Sequence, residues 1–265
     1  MKDIISRTAE EVFGIKADPS DAERLRAYII EKYGEGNPET IKKVFMSGEA
    51  AGFLTVNETY FFREPVHFQF LMNMLPAFEK TGLHICSAAT STGCEAYSIA
   101  MLLEAHNRGK AKPLPYHIDA FDIDQQAIKT AREGIYSERS MREDGSSFRY
   151  LAAPYVKKLE HGYQVDISLQ KSINFFVYNL MDNLSPESYD IIFFRNAFIY
   201  LSQRARSRIL SNLVCALREG GILIMGVSET AGVSHEMLED KNEKDIFYFQ
   251  KAAKISIPHS LFPVP

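Results

Sequence analysis

Residues Leu83–Tyr97 read LHICSAATSTGCEAY. The apolar residues Leu83, Ile85 and Cys86 enter a cluster of small residues from Ser87 to Gly93, and a helix-compatible segment follows from Glu95 through Leu103. The succession of strand, tight small-residue loop and helix opens a nucleotide-binding α/β unit. Ala88, Ala89 and Gly93 keep bulk out of the loop, so a ligand can lie against the backbone at the strand end. With one glycine the loop is not the three-glycine fingerprint of pyrophosphate binding, and it suits a nucleoside without phosphates better than a dinucleotide. Taken alone, the same loop also fits a plain strand-to-helix turn.

Downstream, the rhythm repeats. Tyr116–Asp122 (YHIDAFD) reads as a second strand, and Asp124 begins a helix, DQQAIKTAREG. Asp122 thus falls at a strand end, where a carboxylate accepts both ribose hydroxyls of a nucleoside. The alternative is a helix cap, for which Asp124 is better placed. Residues 136 to 170 break the pattern with Gly145, Gly162 and an alternating Gly162–Ile167 segment, and suggest a small antiparallel insert. Ile173–Val177 and Asp190–Phe194 are strands, leading into Tyr178-Asn179-Leu180 and Arg195-Asn196. A helix over Gln203–Arg218 leads through Gly220-Gly221 to a strand Ile222–Val227, and Asp245–Gln250 alternates like an antiparallel edge strand. The fold class is therefore α/β, a doubly wound sheet whose ligand binds at the carboxyl ends of the strands. Glu95, Asp122, Asn179 and Asn196 all fall on that edge.

Upstream, residues 1 to 50 carry three short helical patterns, predicted to pack as a bundle against something larger. Arg24, Arg26, Lys32, Lys42 and Lys43 among Asp21, Glu23, Glu31 and Glu39 make either solvated faces or a surface that attracts an acidic partner. Thr55–Glu64 (TVNETYFFRE) places Tyr60, Phe61 and Phe62 in a row before Arg63. It reads as an aromatic hinge with Arg63 turned to water, or as part of a site. Pro65 begins a helix through Phe78.

Composition sets the outer limits. The 265 residues, 46% apolar and 24% charged, suit one main domain with a smaller appendage. A formal net charge of −4 argues against broad nucleic-acid binding. The N-terminus is too polar for a signal peptide and no apolar run is long enough to span a membrane, so the expectation is a cytoplasmic protein without membrane insertion. Cys86 and Cys215 read as small core residues and Cys94 as a partly exposed loop residue. Neither the cysteines nor the seven histidines show metal-ligand spacing, so no metal is expected.

NETYFFRE, SAATSTGCEAYSIAM, FDID, YNL, FRNAFIYL and GVSE, in this order, resemble the chemotaxis-receptor methyltransferases of the CheR type, from about residue 13 to residue 250. The resemblance implies a Rossmann-like class I methyltransferase sheet (57–265, insert about 136–171) after an N-terminal helical domain (1–56). It also implies S-adenosylmethionine as cofactor, and glutamate side chains of chemoreceptor cytoplasmic helices as the acceptors to be esterified. Position by position, Asn57, Thr59 and Arg63 would line the cofactor and reaction site. Glu95 would contact the cofactor, and Asp122 would hold its ribose. Asn179, Leu180, Arg195 and Asn196 would enclose the adenosyl and methionyl parts, and Tyr200 would stand beside the methyl group with Arg63. The insert would match a subdomain that in some members docks a receptor tail. The family's usual G-E-E-P-Y is here Gly93-Cys94-Glu95-Ala96-Tyr97, and C-R-N-V is Phe194-Arg195-Asn196-Ala197. The N-terminal helices are also short and modestly basic. These departures keep two alternatives open: the same chemistry on another protein or a small acid, and a cofactor-sensing module without turnover.

The residue set suits such a reaction. A glutamate, with a reference pKa of ~4.3, is already a nucleophile at neutral pH, so no general base is needed. What remains is alignment, for which the planar, permanently charged fork of Arg63 and the hydroxyl of Tyr200 are apt.

Overall fold

The computed structural model describes residues 1–142, 147–243 and 246–253. Gly145 and Asp245, named above, lie outside the described residues. Four helices come first: α1 (Lys2–Phe13), α2 (Pro19–Tyr33), α3 (Pro38–Met46) and the single turn α4 (Ala51–Leu54). Their ends follow local chemistry. Asp18 and Asn37 accept from Ser20 and Thr40 N–H groups ahead of a proline at the first helical turn, and Gly14 and Gly34 close α1 and α2 in left-handed geometry. The short α4 was not anticipated.

After α5 (Pro65–Phe78), the α/β unit begins as expected with β1 (Leu83–Ala88), α6 (Cys94–Asn107), β2 (Tyr116–Asp122) and α7 (Gln125–Glu133). The insert contributes β3 (Ile135–Tyr136), α8 (Arg149–Ala152), β4 (Val156–Leu159), β5 (Gly162–Val165) and α9 (Ile167–Lys171). The main sheet resumes with β6 (Ile173–Val177), β7 (Tyr189–Phe194), α10 (Gln203–Ala216), β8 (Leu217–Met225), β9 (Leu238–Glu243) and β10 (Ile246–Lys251).

The seven-stranded sheet has the order β6-β2-β1-β7-β8-β10-β9, and a separate three-stranded antiparallel sheet runs β3-β5-β4. Strands β6, β2, β1, β7 and β8 are parallel, whereas β10 is antiparallel to both its neighbours. The order reverses at β1, which has β2 on one side and β7 on the other, and a switch point of that kind leaves a crevice beyond the strand ends. This is the doubly wound, Rossmann-like sheet expected from the sequence, with its small antiparallel insert. One strand assignment needs correcting. The tail strand β10 is internal, and the edge belongs to β9, whose sequence LEDKNE has no apolar alternation to announce it. In addition, α10 stops at Ala216 and β8 starts directly after it.

Alternate residues of the central strands feed two cores. Ile85, Ile191 and Phe193 face α5, α6 and the insert, while Cys86, Ile192 and Phe194 face α10 and the N-terminal helices. Ile5, Leu25, Ile29 and Phe45, all fully buried or nearly so, belong to the second core, so the bundle packs directly on one sheet face. Each such side chain contributes ~1.5–3 kcal/mol on burial. Cys94 begins α6 and is fully buried rather than partly exposed, because α6 is enclosed on nearly every side; Cys215 is exposed on α10 rather than in the core.

Candidate functional site

The crevice beyond the switch point is a cleft of about 1040 Å³, including its open mouth. Asn57, Thr59, Arg63, Glu95, Asp122, Asn179, Leu180, Arg195, Asn196 and Tyr200 all line it. The chain brings them together by ending parallel strands on one edge and laying the 55–63 segment across that edge.

The loop after β1 starts the floor. Ala89 and Ser91 have φ of 56° and 54°, values that L-residues seldom adopt, and Asn196 has 59° after β7. Phe62 and Glu64, in the segment across the edge, are left-handed as well. Backbone strain thus gathers around this cleft, as it does at functional sites. Gly93 has a different task from the one its sequence suggested. It lies outside the cleft lining, and a Cβ there would stand 2.8 Å from the Ala131 Cβ and 2.9 Å from the Phe175 ring. Its glycine permits α6 to sit close to α7 and β6.

Asp122 ends β2 with its carboxylate held on both oxygens, by the Ser91 N–H at 2.8 Å and the Asp124 N–H at 3.0 Å. Burial pushes its pKa up to about 6, opposed by these backbone donors. Asp124 caps α7 through the N–H groups of Gln126 and Ala127, as expected for the better placed of the two aspartates. Asp124 also accepts from Asn57 Nδ2 at 2.6 Å, and Asn57 Oδ1 accepts from Ser91 at 3.1 Å. Asn57 therefore stitches the crossing segment to the β1 loop.

The opposite wall is a buried charge network. The Arg195 side chain is 1% exposed, with Nη1 at 3.2 Å from Glu95 and Nη2 at 3.5 Å from Glu64. Nη2 also donates to the Arg63 carbonyl, and the guanidinium sits 5.7 Å from the Phe68 ring centre. Its Nε has no hydrogen-bond partner among the described residues. Burial raises the pKa of Glu95, against the pull of Arg195 and a 2.7 Å bond from Ser87. Burial would raise Glu64 too, but Arg195, the Asn196 amide at 3.1 Å and the Val227 N–H at 3.3 Å bring it net below the usual range. His67, 3.3 Å from Glu64, is driven to about 3 by burial and then by Arg195, and is therefore neutral.

At the mouth, Arg63 is half-buried, donates to the Glu58 carbonyl at 2.9 Å and stacks 5.5 Å from Tyr60. It is neither sealed in a hinge nor loose in water. Tyr200 stands 39% exposed on the rim. Asn179 is largely committed to structure: it accepts from the Met181 N–H at 3.0 Å and donates to the Val12 carbonyl at 2.7 Å. Phe13, Ile15 and Leu54 complete the apolar side from the N-terminal helices. Sequence reasoning passed over these three, and also Glu64 and Glu229. Glu64 stood in the quoted NETYFFRE and Glu229 in GVSE, so an acid beside each already-chosen motif was the available signal. For Ile15, which bridges to Leu201, there was none.

A nucleoside with an amino-acid tail fits this donor set. Asp122 supplies a carboxylate to the cleft lining, and Arg195 in the opposite wall keeps a buried Nε without a hydrogen-bond partner among the described residues. Among the described residues no His, Cys, Asp or Glu cluster could hold a metal ion, and no helix is long and apolar enough to cross a membrane. The family model "CheR methyltransferase, SAM binding domain" matches residues 57–247. The chain belongs to the CheR methyltransferase family. Its relatives include the chemotaxis protein methyltransferases of Borreliella burgdorferi, 35% identical over 67% of this chain and 65% of that one, and of Vibrio parahaemolyticus, 34% identical over 68% and 67%. The Escherichia coli protein of the same name is 36% identical over 69% of this chain and 65% of its own. The match thus spans slightly under two thirds of the Borreliella and Escherichia relatives' length. Within this CheR-family chain the matched region contains residues 57–63 of the crossing segment and every strand end of the cleft, while Phe13, Ile15, Leu54, Thr55 and Val56 lie ahead of it.

Proposed function

We propose that this chain is an S-adenosylmethionine-dependent O-methyltransferase that esterifies glutamate side chains on the cytoplasmic helices of chemoreceptors. The observation that carries the proposal is the convergence of Asp122, Glu95, Arg195 and Asn196 with Arg63 and Tyr200 on one cleft at the switch point of a CheR-family sheet. When bound, the cofactor supplies an electrophilic methyl on a sulfonium. The chain's own residues do the rest. Asp122, held rigid by two backbone N–H groups, takes the ribose hydroxyls. Arg195, with its free Nε, together with Asn196, Asn179 and Leu180, encloses the remainder, and Asn57 and Thr59 close the crossing segment over it.

Arg63 and Tyr200 orient the incoming carboxylate at the mouth. Arg63 is tied to a neutral carbonyl rather than to an acid, so its charge is available to align the acceptor. An ionised acceptor needs no proton removed, consistent with the neutral, buried state of His67. The protein acts in the cytoplasm, residues 1–56 form a helical domain that helps present the substrate, and the β3-β5-β4 insert takes a receptor tail where one exists.

Incubation with receptor fragments and labelled S-adenosylmethionine tests the proposal: base-labile label on receptor helices is expected. Arg63→Ala should lose at least about tenfold in turnover while keeping cofactor affinity, and full-rate methylation by that variant would show the role of Arg63 to be wrong. One observation favours a second acceptor. Arg24, Arg26 and Lys32 are already paired to Asp21, Glu23 and Glu49, which leaves α2 little charge for an acidic receptor. Label confined to a non-receptor protein in a lysate would select that reading.

A further inference from the structure

The turn that carries Tyr200, residues Phe198–Tyr200, is held from two sides. On one side is Glu229, 4% exposed just beyond β8. Its Oε1 accepts from the Ile199 N–H at 3.3 Å, and its Oε2 accepts from the Gly226 N–H at 3.1 Å and from the Asn196 N–H. Gly226 makes room for this carboxylate, since a Cβ there would lie 2.6 Å from Oε2 and 2.9 Å from the Asn196 amide. On the other side is Arg206 of α10, which donates from Nε to the Phe198 carbonyl at 3.1 Å and from Nη2 to the Ile199 carbonyl at 3.3 Å. Its guanidinium also stacks 4.9 Å from the Phe198 ring. Both peptide groups of Ile199 are thus fixed by charged side chains. Below them the Tyr200 carbonyl accepts from the Lys16 N–H at 2.9 Å. Among the described residues no side-chain hydrogen bond holds Tyr200, so its place at the mouth is set by this backbone.

We propose that Glu229 and Arg206 are positioning residues that clamp the Phe198–Tyr200 turn and aim Tyr200 over the cleft, so that they govern turnover and leave cofactor affinity untouched. The inference rests on the reading of Tyr200 as the residue beside the acceptor. A glutamine at 229 keeps one carbonyl oxygen for the Asn196 and Gly226 pair but turns an amino group on the Ile199 N–H, which frees one side of the turn. A lysine at 206 loses the fork that spans two carbonyls.

The test is a double-mutant cycle on kcat for methylation of receptor fragments, with Glu229→Gln and Arg206→Lys each made alone and with Tyr200→Phe. Each alone should lower kcat about tenfold with S-adenosylhomocysteine affinity within about twofold of the parent, and the further loss in the Tyr200→Phe background should shrink below about threefold. Because Glu229 is buried and Arg206 only partly so, the arginine variant decides the matter if the glutamine variant fails to fold. Undiminished losses in the Tyr200→Phe background, or cofactor affinity falling in step with kcat, overturn the clamp. Absence of methylation by the parent protein overturns the proposed function, and the clamp's catalytic role with it. Wild-type turnover by Tyr200→Phe removes the clamp's target and overturns it while leaving the methyltransferase reading standing.

Discussion

Asp122 is the carboxylate that the proposed function assigns to the ribose, and its surroundings are unusual for an aspartate. A raised folded pKa means that the native state holds the proton more tightly than the unfolded chain, whose aspartates titrate near ~3.9. The group's favourable contribution to stability is therefore complete below the unfolded pKa and is lost as pH rises through about 6. Above that pH the protein carries a buried carboxylate at a cost on the order of 3 kcal/mol, which ribose hydroxyls would partly relieve. Two outcomes are expected by titration calorimetry with S-adenosylhomocysteine. Affinity should be flat from pH 7 to 8.5 and fall by up to about tenfold per unit below pH 6, because protonation removes the acceptor. Asp122→Ala should weaken binding by ~1.5–3 kcal/mol at pH 7.5. Affinity that stays level through pH 5 would mean that this carboxyl does not meet the ligand. The placement of Asp122 at a strand end was legible because seven residues of alternating and apolar character ended on it. Its anchoring by Ser91 was not legible, since the left-handed turn at Ser91 has no glycine to signal it.

At the level of the element, the strands at the centre of the sheet were readable because burial on both faces demands continuous apolar runs, as in Ile191 to Phe194 of β7. Strand β9 was not, because an edge strand needs only backbone pairing and its charged side chains reach solvent. Gly93 was noticed for the wrong reason. It was credited with keeping bulk away from a ligand, but it lies outside the cleft lining and answers to packing between α6 and its neighbours. Gly93→Ala should accordingly destabilise the protein by about 2–3 kcal/mol, through overpacking against Phe175 and a φ of 86°. Denaturant unfolding of the apo protein measures this, and a loss below about 0.5 kcal/mol would contradict it. Asp124→Ala removes a helix cap and the anchor of Asn57 at once. It should cost ~1 kcal/mol in stability and, unlike Gly93→Ala, should weaken cofactor binding as well, because the crossing segment is released.

Across the whole molecule, the N-terminal helices were expected as a bundle against something larger, but nothing in their sequence said that they finish the cleft. Phe13, Ile15 and Leu54 line it, the Val12 carbonyl receives Asn179, and the Gly14 carbonyl receives the Ser202 N–H. These links join residues far apart in the chain, which no local pattern encodes. A protein truncated to residues 57–265 would expose the apolar sheet face under Phe194 and Leu223. It should bind S-adenosylhomocysteine far more weakly than the full chain and tend to aggregate; parent affinity in a monodisperse truncated protein would show the bundle to be an independent appendage. The proposed function requires the polar groups of one sheet edge to converge on a sulfonium nucleoside. Its most direct test is calorimetry of the full chain with S-adenosylhomocysteine at pH 7.5. A single saturable site, abolished or strongly weakened by Asp122→Ala in a variant that still folds, is the predicted result; no heat of binding to the folded parent protein would contradict it.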